Sequence, residues 1–464
     1  MSAEKSFTDS LSETLSRALP NFEALIDCRQ LTAGASQETY RITYRSTEGE
    51  TKVALRRAQP TSDSESSVGG ISLESEARLF KLAKQYDIPS PAVLYELQPE
   101  DGLGSGFIMN WLDGETMGHR INRRPELAEI RPQLARKCGE ILGRIHNIDW
   151  RAEKLDSFLE VLDTQSLIQK SWDEYLELNI PVPMIDFTAR WLMENQPEQR
   201  RQTLVHTDFR NGNLMVNAAG IEAVLDWELA HIGDPIQDLG WLCVNSWRFG
   251  NRDLVVGGFG HLEDLLAGYH DATGITVTEQ EVAFWQVLGS FWWSVGTLRM
   301  ANTWRTGETP SLERPVIGRR SSEAQMDCVN VLIPGDFTLP ETPALDAGTQ
   351  LPMPAELLEG VIKFLKEDAA VNLAAHSSFL AKVAANSLSI AQRELLIGPT
   401  VEVQEQQRLQ TLLGKSGDLN SLRASLSNSL RYGMPLDTPL LAEHLRQTVA
   451  NQLAIDQPNY SALQ

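Results

Sequence analysis

The chain has few cysteines and no long apolar run. Its 464 residues include four cysteines, with no CxxC pair and no metal-ligand spacing. A disulfide framework is therefore not expected, and a reducing cytoplasm is the simplest location. No stretch reaches the ~18 uninterrupted apolar residues that span a membrane, and the charged, hydroxyl-rich start of the chain does not resemble a signal peptide. We expect a cytoplasmic protein without a membrane partner.

Positive charge is also scarce. The chain has 41 Lys and Arg against 62 Asp and Glu, a formal net charge of −21. This balance argues against nucleic acid as the main partner, since a nucleic-acid-binding surface is basic. Hydrophobic residues make up 42 % of the chain, which is enough for packed cores. At this length two or three domains are expected.

Hydrophobic periodicity predicts a β-rich N-terminal part. An amphipathic pattern over 8–27 predicts a helix, and alternating residues in TYRITYRS and TKVALRRA predict a β-hairpin. ISLESEARLFKLAKQY has the period of a helix, and GFIMNWLDG is typical of a buried strand.

The rest of the chain is mainly helical in pattern. Two short strands, in LVHTD and EAVLDW, interrupt the helices, and a segment with five prolines at 333–354 indicates a linker. Amphipathic helices beyond it predict a small independent bundle. The predicted division is an N-terminal helix (1–27), a β-rich lobe (28–113), a helical lobe (114–332), a linker (333–353) and a C-terminal helical domain (354–464).

The stretch LVHTDFRNGNLMV carries the clearest chemical pattern. Asp208 follows His206 by two positions and precedes Asn213 by five, and Asp226 follows the next strand. Phosphoryl transfer from ATP needs a base to orient the acceptor hydroxyl and oxygen ligands for Mg²⁺. Asp208 suits the base, and Asn213 and Asp226 suit the metal ligands. The alternative is a polar turn between two strands.

These motifs, HTDFRNGNLMV and VLDWELAHIGDPIQDLGWL, resemble the aminoglycoside-phosphotransferase-like kinase superfamily over about residues 25–330. They are similar in particular to the branch that includes kinase domains attached to some acyl-CoA dehydrogenases. The resemblance implies an α+β, two-lobed protein-kinase-like fold, with a small β-rich N-lobe and a mostly helical C-lobe. ATP would bind at the interface of the lobes. The all-α C-terminal bundle resembles a small helical domain of unassigned function.

The resemblance also implies where ATP would be held. Backbone N–H groups near Gly34, Ala35 and Ser36, in LTAGASQETY, would cover the phosphates, although Ala33 replaces one of the two adjacent glycines usual in the family. The adenine edge would meet the carbonyl of Asn110 and the N–H of Leu112.

A strand arginine is expected to hold the phosphates. Arg56 occupies the position where protein kinases have lysine, and a guanidinium binds phosphate through two parallel hydrogen bonds. Glu76 in the following helix would pair with Arg56 and fix its direction, with Glu74 as the competing choice.

Other polar residues of the motifs are expected to support the site. His206 is interpreted as a structural residue beneath the loop, and Asp234 and Asp238 as braces of the loop, with Asp238 also a helix cap. Glu228 is a candidate for the outer coordination shell of the metal, or a solvated carboxylate.

The acceptor is expected to be a small molecule bound among the helices of the C-lobe. WLCVNSWRFGNR and the segment after residue 290 are rich in Trp and Arg, and a cationic patch would suit an anionic substrate such as a CoA thioester. The candidate substrate-binding residues are Arg299, Arg305, Arg319 and Arg320. The motif GRR…E, with Glu323, also resembles the acyl-CoA-associated branch, whose members include kinases of 4-hydroxyacyl-CoA.

Three functions remain open from the sequence. The favoured one is an ATP- and Mg²⁺-dependent kinase of a hydroxyacyl-CoA in hydroxy-acid catabolism. The alternatives are a kinase of another small alcohol, such as an antibiotic, amino alcohol or sugar, and a nucleotide-binding pseudokinase that serves as an interaction platform. The C-terminal domain is a candidate for forming a homo-oligomer.

Overall fold

The computed structural model describes residues 6–33, 37–58, 70–198, 201–308, 311–342 and 351–463. The chain divides into two compact units. The first comprises Met1–Asp163, Gln199–Cys243 and Trp247–Val282, and the second comprises Thr164–Glu198, Val244–Ser246 and Ala283–Gln464.

Strands within the described residues belong to the first unit. They are β1 Phe22–Ala33, β2 Gln37–Ser46, β3 Gly49–Ala58, β4 Val93–Glu96, β5 Gly106–Asn110, β6 Thr203–Val205, β7 Leu214–Asn217, β8 Gly220–Val224 and β9 His231–Gly233. The first five form an antiparallel sheet in the order β1-β2-β3-β5-β4, and the others form two small sheets, β6-β9 and β7-β8. The predicted hairpin of β2 and β3 is confirmed.

Helices occupy most of the remaining described chain. They are α1 Phe7–Ala18, α2 Leu73–Gln85, α3 Gly118–Ile121, α4 Leu134–His146, α5 Thr164–Leu176, α6 Pro183–Glu194, α7 Ile236–Leu242, α8 Leu262–Thr273, α9 Glu279–Arg305, α10 Glu313–Arg319, α11 Ser321–Leu332, α12 Pro354–Phe364, α13 Ala370–Asn372, α14 Ala375–Leu413, α15 Leu419–Arg431 and α16 Leu441–Asp456. A β-rich part followed by helices is the predicted fold class.

The sheet is stabilised by α1 on one face. In β2 the side chains of Ile42 and Tyr44 are buried, in line with the alternation of the sequence, and they share a core with Leu11 and Leu15 of α1. The side chain of Ser6 caps α1 by accepting from the N–H of Asp9. This packing holds β3, which carries Arg56, in a fixed register.

The predicted helix over 8–27 is wrong in its second half. The helix ends at Ala18 and β1 begins at Phe22. Pro20 has no N–H and cannot continue the helical hydrogen bonds, and the residues from Phe22 onward pair with β2 instead.

The C-terminal helices are part of the second unit. α15 packs on α6, and α16 packs on α11 and α14. Arg431 at the end of α15 forms an ion pair with the fully buried Asp186 of α6. The structure therefore does not separate an independent bundle from helices α5, α6, α10 and α11. The positions of the domain boundaries stay a prediction.

Among the described residues, no helix combines the length and apolar character needed to cross a membrane.

Candidate active site

A strained loop follows β6 and carries the predicted base. Thr207 has a φ of 71°, which is rare for a β-branched residue. Asp238 holds this conformation, because its two carboxylate oxygens accept from the N–H groups of His206 (2.8 Å) and Thr207 (2.7 Å). The hydroxyl of Thr207 lies 2.8 Å from Nδ1 of His231. Such strain persists where surrounding contacts enforce it, as they commonly do at functional sites.

Asp238 is fully buried within α7 and braces the loop. Nε2 of His146 lies 3.1 Å from its carboxylate. Burial favours a higher pKa for Asp238, but its hydrogen bonds to His146 and to the loop backbone outweigh this and lower the pKa. The helix cap predicted for Asp238 is wrong: Asp234, just before the helix, accepts from the N–H of Ile236 at 2.9 Å.

His206 is a buried residue beneath the loop. Its Nε2 lies 3.0 Å from the carbonyl of Leu225, and its ring packs on Trp227 at a centroid distance of 4.5 Å. Burial lowers the pKa of His206 against the raising effect of Asp238, Asp208 and Asp226. A neutral, hydrogen-bonded imidazole is consistent with the structural role expected of it.

Asp208 is held by three donors. Nδ2 of Asn213 donates to Oδ2 at 2.6 Å, while Nε1 of Trp241 and Nε of Arg210 each donate to Oδ1 at 2.9 Å. Its side chain keeps 13 % of its surface exposed. A carboxylate fixed in this way and still open to solvent is able to accept a proton from an approaching hydroxyl.

Sequence reasoning missed Arg210 and Trp241. Arg210 lies two residues after Asp208, and its guanidinium stacks over the ring of Trp247 at 4.4 Å. Trp241 and Trp247 belong to the Trp-rich segment, in which no tryptophan was assigned a role of its own from the sequence. Spacing alone does not reveal these contacts, because they depend on how α7 packs beside the loop.

Asn213 and Asp226 lie next to each other at the ends of β7 and β8. The carbonyl of Asn213 accepts from the N–H of Leu225 at 2.9 Å, directly before Asp226. Gly212 has a φ of 126°, a conformation that favours glycine. Because Nδ2 of Asn213 donates to Asp208, its amide oxygen is left for another partner.

These two oxygen donors fit Mg²⁺. The ion prefers hard oxygen ligands and is usually held by one or two protein groups together with substrate phosphates. In the part of the chain that the structure describes, no cluster of three or more His, Cys, Asp or Glu residues would hold a metal. A small donor set of one amide and one carboxylate is therefore what a phosphate-bound magnesium requires of the protein.

Arg56 of β3 lies among three carboxylates. Its Nε is 2.9 Å from Glu76, and its Nη2 is 2.9 Å from Asp226 and 3.5 Å from Glu228. Glu74 is exposed, so α2 presents Glu76 to the arginine as favoured from the sequence. Burial works to lower the pKa of Arg56, but the three carboxylates together raise it.

Glu76 is the most buried carboxylate of this group. Burial raises its pKa to about 7; Arg56 works against this, whereas Asp226 and Glu228 add to it. The pKa of Glu228 is also raised, by its own burial and by Asp226. One guanidinium thus faces more negative charge than it compensates.

The predicted adenine contacts lie at the end of β5. Asn110 is tied to the start of β4, since its N–H donates to the carbonyl of Ala92 and its Oδ1 accepts from the N–H of Ala92. Among the described residues, no backbone carbonyl accepts from the N–H of Leu112. The phosphate-loop residues Gly34, Ala35 and Ser36 lie outside the described residues.

The predicted cationic patch is largely compensated by carboxylates of the second unit. Arg299 lies 2.7 Å from Glu174, Arg319 pairs with Asp456 and Glu394, and Arg320 pairs with Glu323 at 3.0 Å. Arg305, exposed at the end of α9, has no ion pair with any residue that the structure describes. These pairs give three of the four arginines contacts within the unit, and a role in substrate binding stays a prediction.

Comparison with known proteins identifies two segments. Residues 27–274 match the phosphotransferase enzyme family (APH). Residues 371–460 match a domain of unknown function (DUF6285), in agreement with the predicted C-terminal domain of unassigned function.

The curated relatives are longer proteins. Acyl-CoA dehydrogenase family member 10 of mouse is 31 % identical over 181 residues, which cover 37 % of this chain and 16 % of the relative. Acyl-CoA dehydrogenase family member 11 of chicken is 25 % identical over 307 residues, which cover 61 % of this chain and 38 % of the relative. The chain thus spans well under half the length of these relatives.

A solved structure supports the fold. A Ralstonia eutropha protein assigned as an aminoglycoside phosphotransferase superposes with a TM-score of 0.56 at 19 % identity, covering 70 % of this chain and 98 % of that protein. This likeness confirms the kinase-like fold. Because the family match includes more than half of the residues, the chain belongs to the phosphotransferase enzyme family and is, by class, a small-molecule kinase.

Proposed function

We propose that this protein is an ATP- and Mg²⁺-dependent kinase that phosphorylates the hydroxyl of a hydroxyacyl-CoA. The observation that carries the proposal is the arrangement around Asp208. The carboxylate of Asp208, partly exposed and held by Asn213 at 2.6 Å, lies on the same loop as Asn213, one oxygen donor for magnesium. The other donor, Asp226, directly follows Leu225, whose N–H donates to the carbonyl of Asn213. Phosphoryl transfer uses these parts in this combination.

Each residue has a role in the proposed reaction. Asp208 accepts the proton of the acceptor hydroxyl as its oxygen attacks the terminal phosphorus of ATP, and ADP leaves. Asn213 and Asp226 hold Mg²⁺, which when bound neutralises charge on the phosphates. The carbonyl of Asn110 and the N–H of Leu112 orient the adenine.

Arg56 has a second role in this scheme. It pairs with Asp226 at 2.9 Å as well as with Glu76. If Asp226 held the metal, Glu76 would remain the anchor of Arg56, and the other N–H groups of Arg56 would be available to the phosphates. Arginine suits this position because its several N–H groups can bind a carboxylate and a phosphate together, whereas the ammonium of lysine is a single point charge.

The acceptor is proposed from the relatives. The curated relatives of this chain are named as members of the acyl-CoA dehydrogenase family, and the acceptor proposed on this ground is a CoA thioester with a hydroxyl group. Phosphorylation would turn a poor leaving group into a good one, which prepares the acyl chain for a later elimination.

A homo-oligomer through the C-terminal helices is part of the proposal. Leu357, Val361 and Phe364 form an exposed apolar face on α12. Isolated apolar residues are ordinary at a surface, but a contiguous face of this kind is typical of a protein contact. Light scattering of the full chain tests this part by itself.

The substrate is tested with a panel. The full chain is incubated with ATP, Mg²⁺ and hydroxyacyl-CoAs of different chain length, and the products are analysed by mass spectrometry. We expect one phosphoryl group to be added to hydroxyacyl-CoAs and none to the matching acyl-CoAs without hydroxyl. Phosphorylation of an aminoglycoside, choline or a sugar in the same panel, without any hydroxyacyl-CoA product, would replace the proposed acceptor. Absence of any phosphorylated product, with ATP bound, would support the pseudokinase alternative.

A further inference from the structure

The second unit contains a cavity that the proposed reaction does not use. Its volume is about 850 Å³, and its walls are the extended segment 338–341, the middle of α14 and the helix α16. None of its lining residues belongs to the first unit, which carries Asp208. Cavities of this size are typical of sites for small molecules.

The wall formed by the extended segment is held in place by hydrogen bonds. The side-chain amide of Gln447 pairs with both backbone groups of Thr338, accepting from its N–H at 3.0 Å and donating to its carbonyl at 2.6 Å. Arg446, next on α16, donates to the carbonyls of Ile333 and Asp336 at 2.9 Å each. The cavity is therefore a built feature of this fold and not a gap left by a loose chain.

Arg408 lines the cavity and lacks an anionic partner. Its Nε is buried without a hydrogen-bond partner, and its Nη2 donates to Thr448 at 3.2 Å. Across the described residues no carboxylate lies at ion-pair distance from it; the carboxylate of Glu405 is occupied by two hydrogen bonds from Arg423, at 2.7 and 2.6 Å. Burial lowers the pKa of Arg408, against Glu405 and Glu443. A partly buried cation without a counter-ion is costly.

His444 lines the same cavity with a second unsatisfied group. Only 2 % of its surface is exposed, and its buried Nδ1 has no hydrogen-bond partner among the described residues. Burial lowers its pKa to about 3, and the charges of Arg408 and Arg423 add to the effect. The ring is therefore a neutral imidazole with one donor and one acceptor. Buried polar groups are rarely left unpaired, and both of these residues line the cavity.

We propose that this cavity binds a small organic acid, with its carboxylate on Arg408 and a second polar group within reach of His444. A guanidinium and a carboxylate match in geometry and charge. Amides and hydroxyls contribute much of the remaining lining, which suits a hydroxylated acid. Glu341 and Glu443 at the exposed edge add two negative charges. They disfavour polyanions such as nucleotides, so the ligand carries one negative charge.

Calorimetric titration of the full chain tests the proposal with three probes: 3-hydroxybutyrate, its neutral methyl ester and inorganic phosphate. We expect the acid to bind at one site and the ester to bind at least about tenfold more weakly, since the loss of one charge-assisted hydrogen bond corresponds to about that factor. Phosphate should also bind more weakly than the acid, because Glu341 and Glu443 repel its additional negative charge. Tighter binding of phosphate than of the acid would overturn the carboxylate assignment. Absence of saturable binding of the acid would overturn the site.

Variants locate the binding. Arg408→Gln should weaken the acid about tenfold or more, Arg408→Lys less, and His444→Leu a few-fold. Lys382→Gln removes a positive charge from the same helix at an exposed position outside the cavity and should leave binding unchanged. Thermal unfolding of each variant shows that it is folded. Equal affinity in Arg408→Gln and the wild type would refute the proposal.

Discussion

The two units use arginine in different ways. In the first unit Arg56 lies among three carboxylates, Glu76, Asp226 and Glu228, at 2.9 to 3.5 Å. In the second unit Arg431 meets one buried carboxylate, Asp186, through two hydrogen bonds of 2.6 and 3.1 Å. The first cluster has an excess of negative charge, whereas the second is a closed pair.

This difference in charge balance distinguishes a cluster that can bind a ligand from an ion pair that only stabilises helix packing. A closed, buried pair has no capacity left for a ligand, and it joins α15 to α6. The excess of carboxylates around Arg56 is compensated when a divalent cation binds, which is what the proposed reaction needs. Arg408 differs from both, since no carboxylate of the described residues lies at ion-pair distance from it, and the ligand proposed for it is accordingly an anion.

The largest effect is expected from Asp226→Ala, which removes one of the three carboxylates around Arg56 and with it part of the excess negative charge of the cluster. Mg²⁺-dependent binding of ATP should be abolished, because the change removes the charged metal ligand. Titration of MgATP into the variant measures this. Glu228→Ala should weaken MgATP less than Asp226→Ala, since its carboxylate is farther from Arg56, at 3.5 Å, and more exposed. Unchanged MgATP affinity in Asp226→Ala means that the metal assignment is wrong.

Asp208→Asn tests the base without disturbing the charge cluster. Turnover of the acceptor should fall by roughly 10²–10⁴, the usual contribution of a general base, while folding and MgATP affinity stay near wild type. An amide at this position still accepts from Trp241 and Arg210 through its oxygen and loses only the hydrogen bond from Nδ2 of Asn213, so two of the three contacts that hold the loop are kept. Steady-state kinetics and nucleotide titration on the same sample give both values. Near-wild-type turnover would remove Asp208 from the mechanism.

The sequence predicted those parts of the site that depend on local spacing. His206, Asp208, Asn213 and Asp226 lie on one loop and two short strands, so their relative positions are encoded within about twenty residues. Contacts across longer distances were not visible. Arg210 and Trp241 meet at Asp208 through the packing of α7.

The distribution of charged residues along the sequence was the poorest guide to the charged surfaces of the structure. Arg299, Arg319 and Arg320 form an apparent cationic patch along the chain, but carboxylates from other helices compensate them, among them Glu174 and Asp456. The same limit applies to the C-terminal helices. Their apolar faces were predicted, but the packing of α6 and α11 on them was not. Hydrophobic periodicity shows which face of a helix is apolar, but it does not show which element packs on that face.

Arg431→Met breaks the closed pair of the second unit. It leaves Asp186, which has 0 % exposed surface, without its cation. Removing one partner of a buried pair costs about 3–5 kcal/mol of unfolding free energy, to be measured by urea denaturation. Arg299→Met is the matched control, because Arg299 and Glu174 are both partly exposed, and such pairs contribute about 1 kcal/mol or less. Equal losses in the two variants would contradict the role assigned to burial.

Arg56→Ala should weaken MgATP by roughly 10- to 100-fold, as expected when charge-assisted hydrogen bonds to phosphate are lost. Arg56→Lys should restore part of the affinity, because an ammonium cannot pair bidentately. Arg57→Ala is the control one residue away. Arg57 donates to Glu38 and to the carbonyl of Leu103 at 3.0 Å each, so its loss should lower stability but not nucleotide affinity. A larger loss of MgATP affinity in Arg57→Ala would reverse the assignment.

The smallest effect concerns pH and the buried carboxylate of the cluster. With a pKa raised to about 7, Glu76 is largely protonated at pH 6 and largely ionised at pH 8. Only the ionised form anchors Arg56 by charge, so MgATP affinity should rise between these pH values, by at most about tenfold for one titrating group.

The stability of the protein should change in the opposite direction. Because the folded-state pKa of Glu76 lies above its ordinary value of 4.5, folding favours the protonated form. The contribution of Glu76 to stability is therefore full at a pH below its ordinary pKa of 4.5, and it is lost as the pH rises through its folded-state pKa of about 7. Glu76→Gln should flatten both profiles. Profiles that keep their slopes in Glu76→Gln would assign the titration to another group, with Glu228, whose pKa is also raised, as the next to substitute.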